Sequence, residues 1–177
     1  MRLALNLVLF QTGWFACILG AAGGYSWAGP AVVCIAMLVR LAQSGERRRE
    51  VLLLLCCAVL GFAADTALIA MGWIAPLRGS VPAPWSPPWL VSMWANFGAT
   101  LNVSLAFLKN RLLLSASLGA LGGPLAYYAG SRLGAIAVPD PLWAGLAAVG
   151  AAWAVSLPAM VYLAGAATAG SPLLRKR

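Results

Sequence analysis

The sequence lacks histidine entirely and has only four carboxylates among its 177 residues. Without histidine, the chain cannot form histidine-ligated haem, histidine-based zinc or di-iron centres, or the usual Ser-His and Cys-His nucleophile pairs. Charged residues make up 9% of the sequence and hydrophobic residues 62%. So little charge leaves almost no sequence for a soluble domain. We therefore expect no metal site and no cofactor.

Three of the four carboxylates lie outside apolar sequence. Glu46 and Glu50 belong to the basic segment 45–50, which is typical of a solvated cluster of charges, and Asp140 lies between two prolines. Asp65 is the one acid within an apolar stretch. A mechanism that uses two carboxylates as acid and base therefore has no evident second member in the apolar part of the chain.

The four cysteines all fall within apolar stretches. Thiols in such surroundings act as small hydrophobic groups, so neither disulfides nor a metal framework is predicted. They are Cys17, Cys34, Cys56 and Cys57.

Six apolar stretches dominate the chain, and the longer ones reach the ~20 residues needed to cross ~30 Å of hydrocarbon. In lipid every backbone polar group needs an internal partner, so runs of this length predict helices. We expect an all-α polytopic membrane protein, one domain over 1–177, built as a bundle of six transmembrane helices. The second stretch is short and would need Arg40 to reach towards the headgroups. The stretches are 3–22, 26–41, 51–74, 85–108, 112–130 and 142–164.

The basic residues predict the orientation of these helices. With the amino terminus in the cytoplasm, ten of the 12 basic residues fall on the cytoplasmic side, and Arg78 and Arg132 fall outside. Such a bias over short loops predicts that both termini are cytoplasmic, in the inner membrane of a bacterium. The ten are Arg2, Arg40, Arg47, Arg48, Arg49, Lys109, Arg111, Arg175, Lys176 and Arg177.

The net charge of +8 belongs to this pattern. Because the basic residues flank helices, we expect anionic lipid headgroups as their partners and no nucleic acid. The first stretch is interpreted as an uncleaved helix, since more membrane sequence follows it.

Segment 75–88 contains five prolines, which favour an extended loop on the outer face. Trp73, Trp85 and Trp89 flank or lie within it, as interfacial aromatic residues do.

Small residues recur through the fifth stretch. Ser115, Gly119 and Gly123 follow one another at intervals of four residues, which lets helix backbones approach closely. Pro124 should kink the helix near Ala120, because it removes a helical hydrogen bond. A packing seam is the first interpretation, and a broken helix whose freed carbonyls line a cavity is the alternative.

Polar side chains on three stretches fall at similar depth. At ~1.5 Å rise per residue, Gln11, Asp65, Asn96 and Thr100 lie about 10 to 16 Å below the outer ends of their helices. They could be interhelical hydrogen-bonding groups, or an outward-opening site in which Asp65 handles a proton or cation. Arg132, at the outer mouth, is expected to anchor the interface or to capture an anionic headgroup.

These residues also carry a resemblance to a known family. The chain resembles domain of unknown function 2878 over nearly its whole length, through segments 10–15 and 97–102, the isolated Asp65, and segment 119–127 followed by Gly130 and Gly134. The resemblance implies a small polytopic bacterial membrane protein, and it hints at lipid chemistry.

Three functions remain open from the sequence. The first is a protein that binds or transports a small or lipid-like ligand at the polar cluster. The second is a membrane enzyme or accessory subunit in lipid or fatty-acyl modification, which would have to use Asp65, Tyr127 or Tyr128, Arg132 or a thiol. The third is a structural subunit that docks a membrane protein partner, or another copy of itself, on the fifth helix.

Overall fold

A computed structural model describes residues 2–78 and 81–169. Within those residues the chain forms six α-helices, as the apolar stretches predict, together with one short two-stranded sheet. The helices are α1 (Arg2–Ala22), α2 (Ala28–Ala42), α3 (Arg47–Ala70), α4 (Pro88–Gly98), α5 (Leu112–Arg132) and α6 (Leu142–Ala169). The strands are β1 (Ala75–Pro76) and β2 (Ile136–Ala137).

The helices alternate in direction, so their connections gather at two ends of the bundle. At one end β1 follows α3 and pairs antiparallel with β2, which follows α5, with Ala75 opposite Ala137. Arg78 lies beside Gly24 in the turn between α1 and α2, which places that turn at the same end. The connection from α2 to α3 lies at the opposite end, where the Arg40 and Glu50 side chains form an ion pair.

Four of the helices are long and apolar enough to cross a membrane: α1, α3, α5 and α6. The outer surface of the bundle is correspondingly hydrophobic, with Leu113 87% exposed and Val155 73% exposed. Large apolar side chains exposed in this way are expected to face a hydrocarbon environment. The interior contains two hydrophobic clusters, one around Trp89 and Ile18 and the other around Leu108 and Met160.

The prediction that the fourth helix runs over 85–108 is wrong beyond Gly98. The α-helix ends there, and turns lead into a 3-10 segment, Ala106–Leu108. Three side-chain hydrogen bonds lie where the helix stops: Thr100 Oγ1 donates to the Phe97 carbonyl, Asn6 Nδ2 donates to the Ala99 carbonyl, and Ser104 Oγ donates to Asn6 Oδ1. Polar side chains that bond nearby backbone groups compete with helical hydrogen bonds. Such bonds satisfy backbone carbonyls here without a regular α-helix.

Glu50 is not part of a solvated charge cluster, as the sequence suggested. It lies in the first turn of α3, is 6% exposed, and pairs with Arg40 at 3.0 Å. Arg40 therefore extends towards a buried acid, which the sequence did not suggest. Glu46 does stay at the surface, where it pairs with Arg49.

All four cysteines are free; Cys17 and Cys57 are buried, whereas Cys34 and Cys56 are exposed on the bundle surface. One further expectation needs correction. Trp89 is fully buried and donates to the Arg78 carbonyl, so it is a core residue and not an interfacial one. Trp85 does remain half-exposed, stacked on Phe62.

Helix α5 packs against α6 along its small residues. A Cβ atom on Gly123 would lie 2.5 Å from Trp153 Cγ, and one on Gly119 would meet the Trp153 carbonyl. Helix α5 continues through Pro124 without a break. The Ala120 carbonyl, which Pro124 deprives of its usual donor, lies against Gly150 of α6. The small-residue face of α5 is thus occupied by a helix of the same chain.

Candidate functional site

Asp65 joins three helices through its carboxylate. Its Oδ2 atom accepts a hydrogen bond from Trp94 Nε1 of α4 at 2.7 Å, and its Oδ1 atom accepts one from the Tyr127 hydroxyl of α5. Asp65 is completely buried, and Trp94 and Tyr127 are 2% and 4% exposed. A buried acid at this depth is costly unless it is hydrogen-bonded, and both of its oxygens have a donor here.

An aromatic layer surrounds the carboxylate. The Trp94 indole stacks on Trp153 of α6, with ring centroids 4.2 Å apart, and the Phe97 ring meets Trp153 edge-on at 5.2 Å. Gly61, one helical turn before Asp65, makes room for this layer, because a Cβ atom there would overlap the Trp94 ring. The absence of a side chain at position 61 therefore lets the indole reach the acid.

In front of this layer lies a cavity of about 330 Å³, hereafter the α1–α5 cavity. Its lining residues come from α1, α4, α5 and α6. Its exposed lining residues, Gln11, Leu118 and Gly122, place its opening between α1 and α5 on the side of the bundle. The lining is otherwise mainly apolar and aromatic: Phe10, Trp14, Leu90, Met93, Trp94, Phe97, Gly119, Gly123, Ala126, Tyr127, Trp153 and Leu157.

The four polar residues predicted at one level do not form a single cluster. Gln11 is exposed at the edge of the α1–α5 cavity, whereas Asp65 lies behind the cavity wall. Asn96 is buried elsewhere and donates to the Phe10 carbonyl at 2.8 Å. Thr100 bonds its own chain at the end of α4. The four side chains thus lie on different faces of their helices or outside them.

Arg132 lies apart from this site. It is exposed in the last turn of α5, near the end of the bundle that carries the strands, and it does not line the cavity. The two tyrosines also separate, since Tyr127 lines the cavity and Tyr128 is 41% exposed.

The cavity lining is mainly apolar and aromatic, and the Asp65 carboxylate does not line it. A ligand in the cavity would meet aromatic rings, glycine backbone and the Tyr127 side chain, and it would reach Asp65 only after displacing Trp94 or Tyr127. The carboxylate fixes these two aromatic side chains from behind, as hydrogen bonds that orient binding residues do.

Sequence reasoning missed Trp94 and Trp153 as parts of the site. A signal for Trp94 was present, because Gly61 stands one turn from a buried acid and leaves a space that a large indole donor fits. No comparable signal marks Trp153, whose position follows from the way α6 packs on α5.

Comparisons with known proteins identify the family of this chain. The family model described as a protein of unknown function (DUF2878) matches residues 3–159, so the chain belongs to this family. No curated protein and no solved structure matches the chain.

Proposed function

We propose that this member of the DUF2878 family is an integral membrane protein that binds a lipid-like ligand in the α1–α5 cavity. The observation that carries the proposal is the cavity itself, about 330 Å³ in volume and bordered by the exposed residues Gln11, Leu118 and Gly122. Its volume falls within the range of ligand sites in proteins, at the small end. A lateral opening on an apolar surface would admit an acyl chain directly from the bilayer.

The lining of the cavity supports an apolar ligand with a small polar group. Trp14, Trp94, Phe97 and Trp153 offer broad apolar and aromatic surfaces. Tyr127 is the buried polar side chain of the wall, and its hydroxyl is held by Asp65. A ligand oxygen near Tyr127 would accept or compete for that hydrogen bond, whereas the chain would pack on the indoles.

The membrane setting is part of the proposal. We propose that six segments cross a bacterial inner membrane, with both termini in the cytoplasm, and that the 11-residue α4 crosses together with the turns and the 3-10 segment that follow it. Supporting this are the four long apolar helices, the exposed apolar surface, and the meeting of three connections at the end that carries Arg78. The end that carries Arg40 and Lys109 would face the cytoplasm, in agreement with the positive-inside rule.

The ligand can be tested by photo-crosslinking in membranes. A fatty acid that carries a diazirine in its chain is incubated with membranes containing the protein, irradiated, and the labelled peptides are mapped by mass spectrometry. We expect label on residues 10–14 of α1 and 118–127 of α5. Gly122→Trp should abolish this label, because the indole would fill the cavity at a position where no atom lies within 4 Å of an added Cβ.

The matched control is Leu121→Trp, on the same helix. Leu121 is 67% exposed and does not line the cavity, so this substitution adds the same ring on the outer surface. Equal labelling of wild type and Gly122→Trp, or label confined to outward-facing residues of every helix, would contradict a ligand site in the cavity and favour a structural role for the aromatic layer.

A further inference from the structure

A second cavity lies at the opposite end of the bundle from the strands. It has a volume of about 320 Å³ and lies where α2 ends, and it is called here the Arg40 cavity. Its polar lining comes from Asn6 of α1, Arg40 of α2, and Asn102 of the segment after α4, together with Gln43 and Ser44. None of these residues lines the α1–α5 cavity.

A buried acid holds the polar side chains of this cavity in place. Glu50 Oε1 pairs with Arg40 Nη2 at 3.0 Å, and Glu50 Oε2 accepts a hydrogen bond from Asn102 Nδ2 at 3.3 Å. Glu50 does not itself line the cavity. The Arg40 guanidinium and the Asn102 amide are therefore held in place by Glu50. The Arg40 side chain is 14% exposed and the Glu50 side chain 7% exposed.

The Arg40 guanidinium has a donor that the Glu50 carboxylate does not use. Its Nε atom is buried and has no hydrogen-bond partner among the described residues. A guanidinium has five N–H donors, and a single carboxylate does not use all of them. Anionic oxygens are the natural partners of such donors.

The apolar part of the lining indicates how an anion would be presented. Leu5 and Leu9 of α1 and Val103 border the polar group, and Leu5 is 39% exposed on the bundle surface. A headgroup phosphate could enter here while its acyl chains stay along α1.

We propose that the Arg40 cavity binds a phosphate group, supplied by an anionic phospholipid headgroup or by free phosphate. Arg40 provides the charge, and Gln43 and Ser44 provide further polar groups at the edge. This site is independent of the α1–α5 cavity, so either proposal can fail alone.

Substitutions at Glu50 and Arg40 test the proposal. Glu50→Gln keeps the shape of the side chain and frees Arg40 from its competing carboxylate, so phosphate binding should become roughly tenfold tighter. The double variant Arg40→Met with Glu50→Met removes both charges together and avoids an unpaired buried ion, which usually preserves folding. It should lose binding. Glu46→Gln is the matched control, because it makes the same change in net charge at the partly exposed Glu46–Arg49 pair.

Two probes distinguish the sources of the phosphate. Inorganic phosphate is titrated against the detergent-solubilised protein, with chloride at equal ionic strength as reference, and thermal unfolding is followed. Phosphatidylglycerol and phosphatidylcholine with identical acyl chains are compared by native mass spectrometry. Stabilisation by inorganic phosphate identifies a free anion as the ligand, and selective retention of phosphatidylglycerol identifies a lipid headgroup. Either result supports the site if Glu50→Gln strengthens the binding and the double variant removes the binding. No binding of either probe, binding that all variants share, or an equal gain in Glu46→Gln would overturn it.

Discussion

At the scale of single residues, Asp65 behaves as a shared hydrogen-bond acceptor. Each of its oxygens accepts one hydrogen bond, from Trp94 on one side and from Tyr127 on the other. An asparagine has the same shape but only one acceptor oxygen, so one of the two donors would face an amide N–H group. The carboxylate is required here by its hydrogen bonding, before any question of proton transfer arises.

This account predicts strong coupling between Asp65 and Tyr127. In the wild-type background, Tyr127→Phe should destabilise the protein by about 1–3 kcal/mol, because one carboxylate oxygen loses its buried partner. In an Asp65→Asn background, the same change should cost clearly less, since the acceptor has already been altered. The four proteins of the cycle are compared by reversible unfolding in detergent. Simple additivity of the two costs would mean that the hydrogen bond contributes little.

Asn6 and Glu50 show what sequence alone could and could not supply at this scale. The sequence predicts that Asp65 is buried, because a charge within an apolar helix must face the protein interior. It does not predict that Glu50 is buried, since the partner Arg40 belongs to another helix and the local sequence 45–50 is strongly polar. Contacts between distant segments, such as Asn6 with Ser104, depend on how the helices pack.

At the scale of elements, the fourth helix is the most informative. The apolar stretch 85–108 is continuous in sequence, yet the α-helix ends at Gly98 and the remainder follows through turns. Gly98 lies against Cys57 of α3, where a Cβ atom would be 2.9 Å from the Cys57 sulfur. Hydropathy predicts that this segment is buried, but it does not predict that side chains such as Thr100 replace helical hydrogen bonds.

Asn6→Ala should loosen this irregular segment. The change removes the donor to the Ala99 carbonyl and the acceptor of the Ser104 hydroxyl, both in buried surroundings, at a cost of about 1–3 kcal/mol. Hydrogen exchange followed by mass spectrometry should show faster exchange over residues 99–105, because local opening becomes easier. Gln11→Ala on the exposed face of α1 is the control and should leave that segment unchanged. Equal exchange in both variants would show that Asn6 does not hold the segment.

The seam between α5 and α6 gives a matched pair of neighbouring glycines. Gly123→Ala places a Cβ atom 2.5 Å from Trp153 Cγ, whereas Gly122→Ala meets no atom within 4 Å. Overpacking of this kind costs about 1–3 kcal/mol, so Gly123→Ala should lower the unfolding temperature in detergent. Gly122→Ala should leave it unchanged or raise it slightly, because alanine is the better helix former. Gly134 would be a poor control, since its φ of 81° disfavours any side chain. Equal temperatures for the two variants would argue against a rigid seam.

At the scale of the whole molecule, the long apolar stretches predict the number of helices, and the structure adds how these helices are arranged. Five apolar stretches form helices with nearly the predicted bounds. The backbone polar groups of a long apolar run have no water to bond in lipid, so they bond one another within a helix. Which residues meet across helices was not predictable in the same way. The four polar residues do not form the predicted cluster, because residues at a similar depth can lie on different faces of their helices. The α1–α5 cavity depends on how several helices pack together, which the sequence of one segment does not specify.

The final prediction concerns the orientation of the whole bundle. In a variant without the four natural cysteines, single cysteines at Tyr25, Val81 and Asp140 should react with a membrane-impermeant thiol reagent in intact cells. All three positions are exposed and lie in connections at the end of the bundle that carries the paired strands. Cysteines at Glu46 and Arg111, at the opposite end, should react only after the inner membrane is permeabilised, because the basic residues there are retained in the cytoplasm.

Helix α2 makes this a demanding test: its 15 residues span about 22 Å at ~1.5 Å per residue, less than the ~30 Å hydrocarbon core, so crossing requires local thinning of the bilayer. Reaction of the Glu46 cysteine in intact cells, with protection at Tyr25, would reverse the orientation; reaction at both would mean that α2 does not cross.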